Sequence, residues 1–569
     1  MHGQVDLIVR GGLIANGLDE TLVEGDVAVH QGRIVEVGKT SARAREVIDA
    51  RGLMVTPGFV DIHTHYDGQA VWDRSLAPSS WHGVTTAVMG NCGVGFAPVK
   101  ASDRDDLIEL MEGVEDIPGA ALHHGLDWKW QSFSEFLDAL ERTPHDIDFC
   151  AQLPHAALRV FVMGSRAIRL EPATAEDCAQ MRSLAADAMR AGALGFSTSR
   201  SINHKSLKGA PTPTLKASEQ ELLQISLGLK DAGCGVLQMI TDFDDADVDG
   251  EFGLMKRMAQ QSGRPLSFSL MQKHSNVDGW RRVLALTDQA VREGLAMRAQ
   301  VAPRGVGVLL GLMASRTPFS ECPSYKRIAR LPFEERVALW RTPALHDALM
   351  AEMQASSQTP LGRRLTEFDN IFVFGQSLDY DPGARQSIAA IAGRTGRASA
   401  EVAYELLGEN EGRNFLYSPF ANYADKNLDV CAEMLAHPWT LSGLGDGGAH
   451  VGVISDANFP TYILSYWGKS QQRFSLPWLV KRLSSDNARA VGLLDRGVIA
   501  PGMKADLNLI DVDKLGLEMP HIQADLPAGG RRLMQRATGY AATIVSGRVT
   551  YRHGQPTGEL PGWLVRGAR

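Results

Sequence analysis

From residue 1 to about 55 the chain alternates short apolar runs with turn residues, as in DLIVRGGLIANG, EGDVAVHQGRIVEVG and REVIDARGLMV. Alternation with a period near two, broken by Gly and Asn, predicts a small unit of short strands. From residue 54 the pattern changes. Apolar runs of strand length now alternate with longer stretches of helical spacing; in ATAEDCAQMRSLAADAMRAGA, Cys178, Met181, Leu184, Ala185 and Ala188 follow helical spacing. Such alternation predicts a parallel sheet. The strand-like runs cover 53–62, 83–91, 146–153, 193–199, 233–241, 264–272, 294–302 and 439–446. Eight strands in βα order predict an α/β fold, a (β/α)8 TIM-like barrel rather than an open sheet.

The interval between the seventh and eighth runs is too long for one connection. Residues of about 303–438 therefore read as an insertion, with helical signals in PFEERVALWRTPALHDALMAEM and a short strand in NIFVFGQ. The helix SIAAIAGRTGR and its successor are expected to return the chain to the barrel. Beyond 495 the β pattern resumes, in DRGVIAPGMKADLNLIDVD and TGYAATIVSGRVTYRHGQPTG. The expected organisation is a β-sandwich from 1–55 and 495–569, enclosing a barrel over 56–494.

Composition narrows the classes of partner. The 569 residues carry 58 basic and 66 acidic side chains, a formal charge of −8. That balance argues against a surface built for phosphate backbones or anionic lipid, so a small-molecule substrate is expected, with no nucleic acid and no membrane partner. The six cysteines are scattered and suggest no disulfide framework. The start, MHGQVDLIVRGGLIANG, lacks the basic and apolar regions of a signal peptide, and a cytoplasmic location is expected. Oligomeric state leaves no signal.

Chemistry enters at PGFVDIHTHYDGQ, residues 57–69. In a strand, Asp61, His63 and His65 would share a face, and paired imidazoles can bind a metal. In a parallel barrel, functional groups collect at the C-terminal strand edge. There the second strand ends in MGNCGVG, with Cys92 among glycines, and the eighth in GLGDGGAH, with Asp446 and His450. Two imidazoles, a thiolate and a carboxylate would suit Zn²⁺, with Asp446 placed to take and return the proton of an activated water and Asp61 standing behind as an orienting group. Other uses of the same residues stay open: Cys92 as a small buried apolar group, Asp446 as a helix cap, His450 as a surface residue.

VTPGFVDIHTHYDGQ, GVTTAVMGNCGVGFAP, GALGFSTSR, DGGAH and RGVIAPGMKADLNLID together resemble the amidohydrolase superfamily, and within it the D-aminoacylase (N-acyl-D-amino-acid deacylase) branch. The resemblance implies a sandwich built from both termini, a zinc-bearing barrel, and hydrolysis of the amide of an N-acylated D-amino acid. It implies His63, His65 and Cys92 as metal ligands, Asp446 as ligand and catalytic acid/base, and the insertion as a mobile lid. One departure stands out. The branch takes two further histidine ligands from the fifth and sixth strands, where this chain has Met239 or Ile240, and Leu270.

Neither a thioether nor an aliphatic group replaces imidazole on Zn²⁺, so one ion per chain is expected and a second position should be weak or empty. His274 and Asp242, just beyond those strands, are the nearest substitutes. The branch's substrate-binding lysine aligns with Gln272, one residue short of Lys273. Further candidates for meeting a substrate anion are His155, Arg159, Arg200, His204, Lys205 and His450. The leading expectation is a metal-dependent amidohydrolase acting on a linear amide. Hydrolysis of another amide, an ester or a cyclic amide on the same centre is the alternative among enzymes, and a metal-free scaffold or binding protein is the alternative outside them.

Overall fold

The computed structural model describes residues 4–243, 247–375 and 378–567. Eight parallel strands form one sheet in chain order: Phe59–Asp61, Val84–Met89, Asp148–Pro154, Gly195–Arg200, Val236–Thr241, Leu266–Ser269, Met297–Val301 and Thr440–Ser442. Each falls within or overlaps the run expected for it, with helices between. The sheet curls into a barrel whose last seam, between the first and eighth strands, is not a regular ladder. An amide side chain fills it instead: Asn487 Nδ2 donates to Val60 O and to Ser442 O, both at 2.8 Å. Higher up, Thr64 bridges Gly447 in parallel.

The run 53–62 is not one strand but two. Met54–Pro57 joins the terminal sheet and Phe59–Asp61 the barrel, with Gly58 at the break. A Cβ at Gly58 would come within 2.1 Å of Thr85 Oγ1, so the crossing chain passes where no side chain fits. In the terminal sheet, Leu507–Ile510 from the C-terminal region pairs antiparallel with Met54–Pro57. Its apolar face unites Leu7, Val9, Val27, Val29 and Val55 with Leu507, Leu509, Ile544 and Val549. Burying that face needs both chain ends.

Two parts of the organisation differ from expectation. The helices Ile388–Thr395 and Ser399–Gly408 do not return the chain to the barrel. Their Ile388, Ala392, Val402, Ala403 and Leu407 pack with Leu310, Phe319, Trp340 and Leu349 in a core belonging to the insertion. The return is made by strand Phe415–Ala421, in a three-stranded antiparallel sheet with Val306–Gly311 and Phe372–Phe374, and by helix Asp429–Ala436. Nor does all of 495–569 lie in the sandwich: the hairpin His521–Leu526 with Gly530–Met534 packs on the barrel side, where Leu533 N donates to Val451 O at 2.6 Å.

A buried ionic cluster joins the two units. Asp148, on the third barrel strand, meets Arg496 Nη1 at 2.6 Å and Lys504 Nζ at 2.8 Å, and Lys504 also meets Asp506 at 2.8 Å. Burial raises the Asp148 pKa, but Lys504 and Arg496 outweigh it and hold the carboxyl below its ordinary 3.8. Its stabilising contribution is therefore full above that value and is lost as pH falls through the depressed one. Asp148→Asn is expected to cost about 3–5 kcal/mol, because two buried cations lose a partner. Denaturant unfolding checks this, together with a shallower loss of stability between pH 4 and 2 in the variant.

Candidate metal centre

The first barrel strand ends at Asp61, and the chain runs on extended. Thr64 N donates to Val88 O on one side and His65 N to Gly447 O on the other. His63 and His65 are thus locked between the second and eighth strands, both buried, with ring centroids 5.5 Å apart. Asp446 N donates to His63 O at 3.0 Å, which carries the carboxylate onto the imidazoles: Oδ1 lies 3.3 Å from His63 Nε2 and 3.5 Å from His65 Nε2. Cys92 Sγ is 3.4 Å from His63 Nε2.

Cys92 reaches that position through strain. It adopts φ +54, a left-handed conformation uncommon for a non-glycine residue, and its N donates to Gln238 Oε1 at 3.2 Å. Gly90 before it, at φ +80, lies against the third strand, where a Cβ would come within 2.5 Å of Gln152 O. Asp446 (φ +45) and His450 (φ +50) are also left-handed. Backbone outliers of this kind gather where a surrounding structure holds functional groups in place.

Each imidazole has a polar group behind it. His63 Nδ1 is 2.7 Å from Gln300 Oε1, so its Nδ1–H donates and its Nε2 lone pair faces the cluster. His65 Nδ1 is 3.3 Å from Glu115 Oε1. Burial lowers the pKa of both rings. In His63 it prevails; in His65, Glu115 and Asp446 override it and the pKa stands well above 6.5. Burial alone would raise Asp446, yet His65 and His63 hold it far below the carboxylate range. The Cys92 thiol is pushed up to about 12, again by burial. A buried thiol beside two imidazoles and a carboxylate is a poor set without a cation and a good one with it.

The fit to an ion can be tested on distances. Ligand bonds of ~2.0–2.3 Å to a tetrahedral ion place neighbouring donor atoms about 3.3–3.6 Å apart. The three separations of 3.3, 3.4 and 3.5 Å fall in that range. His63, His65 and Cys92 form the only such group of three found among the described residues, their donor atoms all within 4.8 Å of one another.

A model of the amidohydrolase family matches residues 46–551. The chain belongs to that family. It is 27% identical to a D-aminoacylase of Alcaligenes xylosoxydans xylosoxydans over 387 residues, covering 66% of this chain and 73% of that protein. It is 28% identical to an uncharacterized protein of Mycobacterium tuberculosis over 601 residues, covering 98% and 93%. A solved D-aminoacylase, described as having a binuclear metal center, superposes with a TM-score of 0.67 at 22% identity, covering 99% of this chain and all of that one, which shows a shared fold.

Within this amidohydrolase barrel the fifth and sixth strands supply no imidazole. Gln238 faces Cys92, so Ile240, two residues on, shares its inner face, whereas Met239 lies buried in the main apolar core. Leu270 is buried in that core just past Ser269. His274 does not substitute: it is part-buried and lies outside the ligand group of His63, His65 and Cys92. Asp242 accepts from Ser201 Oγ and Ile202 N and so holds a turn.

The candidate substrate residues separate. His155 and Arg159 are fully buried and share Glu221 Oε1, at 3.0 and 2.7 Å, so neither presents a free group to a ligand. Arg200 is engaged by Glu251 and by Ala217 O. Lys273 Nζ donates to Phe243 O, and Lys205 is exposed. His450 stays near the centre, its Nε2 3.5 Å from the Glu115 carboxylate that also faces His65. His204 bonds Ser199 Oγ at 2.8 Å, and burial, then the charges of His450 and His65, push its pKa down to about 4.

Asp61 is not behind an imidazole: its Oδ1 accepts the backbone N of His63 at 3.1 Å, and Gln300 orients the ring instead. Gln300 and Glu115 were not among the sequence candidates. Gln300, a polar residue in the apolar run GLAMRAQVA, is a detectable signal of an inward position; Glu115, inside an ordinary helical stretch, offers none. Titration with Cd²⁺ is expected to produce the ultraviolet charge-transfer absorption of a thiolate-bound ion, and Cys92→Ser to abolish it. Absence of the band in the wild type would remove Cys92 from the donor set.

Proposed function

We propose that the protein is a metal-dependent amidohydrolase that cleaves a linear amide, with an N-acyl-D-amino acid as substrate. The observation that carries this reading is the Asp446 carboxylate at 3.3 and 3.5 Å from the Nε2 atoms of two imidazoles, with Cys92 Sγ alongside. Family membership supports amide hydrolysis, and 35% identity over 196 residues to an N-acyl-D-aspartate deacylase of Alcaligenes xylosoxydans xylosoxydans, 34% of this chain and 36% of that protein, supports the substrate class.

His63, His65, Cys92 and Asp446 would hold one divalent ion, with Zn²⁺ suited to the mixed N, S and O donors. When bound, such an ion polarises the substrate carbonyl and lowers the pKa of water. Asp446 is the base that takes the proton of the attacking water and the acid that returns it to the departing amine. The neighbouring imidazoles hold it as the ionised carboxylate, the form in which it can accept a proton. Gln300 holds the His63 ring in the tautomer that faces the centre. His204 and His450 are our candidates for meeting the substrate's polar end.

Metal analysis of purified protein is expected to find about one Zn per chain, with activity on N-acetyl-D-amino acids exceeding that on the L enantiomers and on lactams. Asp446→Asn should lose at least about 10³-fold in kcat while still folding to a cooperative native state. Full activity of that variant would exclude the carboxylate from the chemistry. A metal-free wild type, with activity indifferent to chelator, would end the metal reading altogether.

A further inference from the structure

We propose that Glu115 is a positioning residue for this centre: a single buried carboxylate that fixes the ring of His65 and His450 together. The inference rests on the metal-dependent reading above. Glu115 is the last residue of helix Arg104–Glu115 and is 1% exposed. Its two oxygens face two different imidazoles, Oε1 at 3.3 Å from His65 Nδ1 and Oε2 at 3.5 Å from His450 Nε2. Its backbone carbonyl accepts from His450 N.

The next residue extends the grip. Asp116, left-handed at φ +51, accepts from Gly452 N at 3.2 Å. One helix end therefore seizes the loop after the eighth strand at His450 and at Gly452. That loop also carries Asp446, and its left-handed residues need outside support to persist.

At His65 the consequence is electronic as well as steric. A carboxylate at Nδ1 requires the proton there and leaves the Nε2 lone pair pointing at Cys92 and Asp446, with raised basicity. The contact lies off hydrogen-bond alignment, and neither His65 Nδ1 nor Glu115 Oε1 has another hydrogen-bond partner among the described residues. Two buried polar atoms 3.3 Å apart gain a bond from a small turn of the ring, and that turn becomes favourable when Nε2 is engaged. His63 has a neutral amide in the same place, so the two ligands are supported unequally, the charged support going to His65.

The test uses the full-length protein. Zn²⁺ affinity is measured by competition with a chromophoric chelator, and the visible spectrum of the Co²⁺-loaded form reports the geometry of coordination. Glu115→Gln, nearly the same shape, is expected to weaken Zn²⁺ binding about 10–100-fold and to alter the Co²⁺ bands. Affinity and spectrum both equal to the wild type's would overturn the proposal, since a merely structural role leaves them unmoved. Should that variant fail to fold, Glu115→Asp carries the test. It keeps the charge but withdraws it by one methylene; binding weakened about tenfold supports the proposal and unchanged binding overturns it. A wild type that takes up no Zn²⁺ defeats the metal reading and this inference together, whereas a binding wild type with an indifferent variant defeats this inference alone.

Discussion

The seam between the first and last barrel strands is the constraint on which the centre depends. It consists of two backbone hydrogen bonds beyond the strand ends, His65 N to Gly447 O at 2.7 Å and Asp446 N to His63 O at 3.0 Å, with Asn487 joining the strands below. The same bonds that close the barrel set the carboxylate against the imidazoles. Closure and site assembly are one event: a chain that fails to dock its eighth strand has two histidines and no acid. The short strands Phe59–Asp61 and Thr440–Ser442 leave this edge little regular ladder, which explains the recruitment of a side-chain amide.

The architecture was legible because its signals are periodic. All eight barrel strands and the helix Ala175–Ala191 follow from the spacing of their apolar positions. The misreadings arise where apolarity is right and its destination is not. Residues 53–62 form one apolar run, yet the first half is buried by the sandwich and the second by the barrel, a division that only the approach of Thr85 to Gly58 imposes. Helix Ile388–Thr395 has an apolar face, but nothing local says whether a barrel or an insertion covers it.

The centre was legible to the extent that its residues cluster in sequence. His63, His65, Cys92 and Asp446 stand at strand ends in unusual company; Glu115 and Gln300 do not. Groups that support ligands from behind come from wherever the fold brings a carboxylate or amide within about 3 Å, and no spacing rule encodes that. The same blindness affected the basic candidates. His155 and Arg159 resemble mouth residues in sequence, but Glu221, far along the chain, binds them both inside the protein.

The wall facing the centre bears on how many ions the proposed enzyme can hold. Its inward groups are neutral and serve one another: Gln300 Nε2 donates to Ser267 Oγ, Gln152 Nε2 to Asn91 Oδ1, and Gly93 N to Ser197 Oγ, while Gln238 receives the Cys92 amide. These bonds support Cys92 and His63. With Cys92 as thiolate and Asp446 as carboxylate, the ligand charges match one divalent cation, and the buried Glu115 carboxylate, 3.3 Å from His65 Nδ1, adds negative charge behind them. The proposal of a single ion rests on the donor set, since the fifth and sixth strands bring Ile240 and Leu270 to that wall where a second ion would need imidazole.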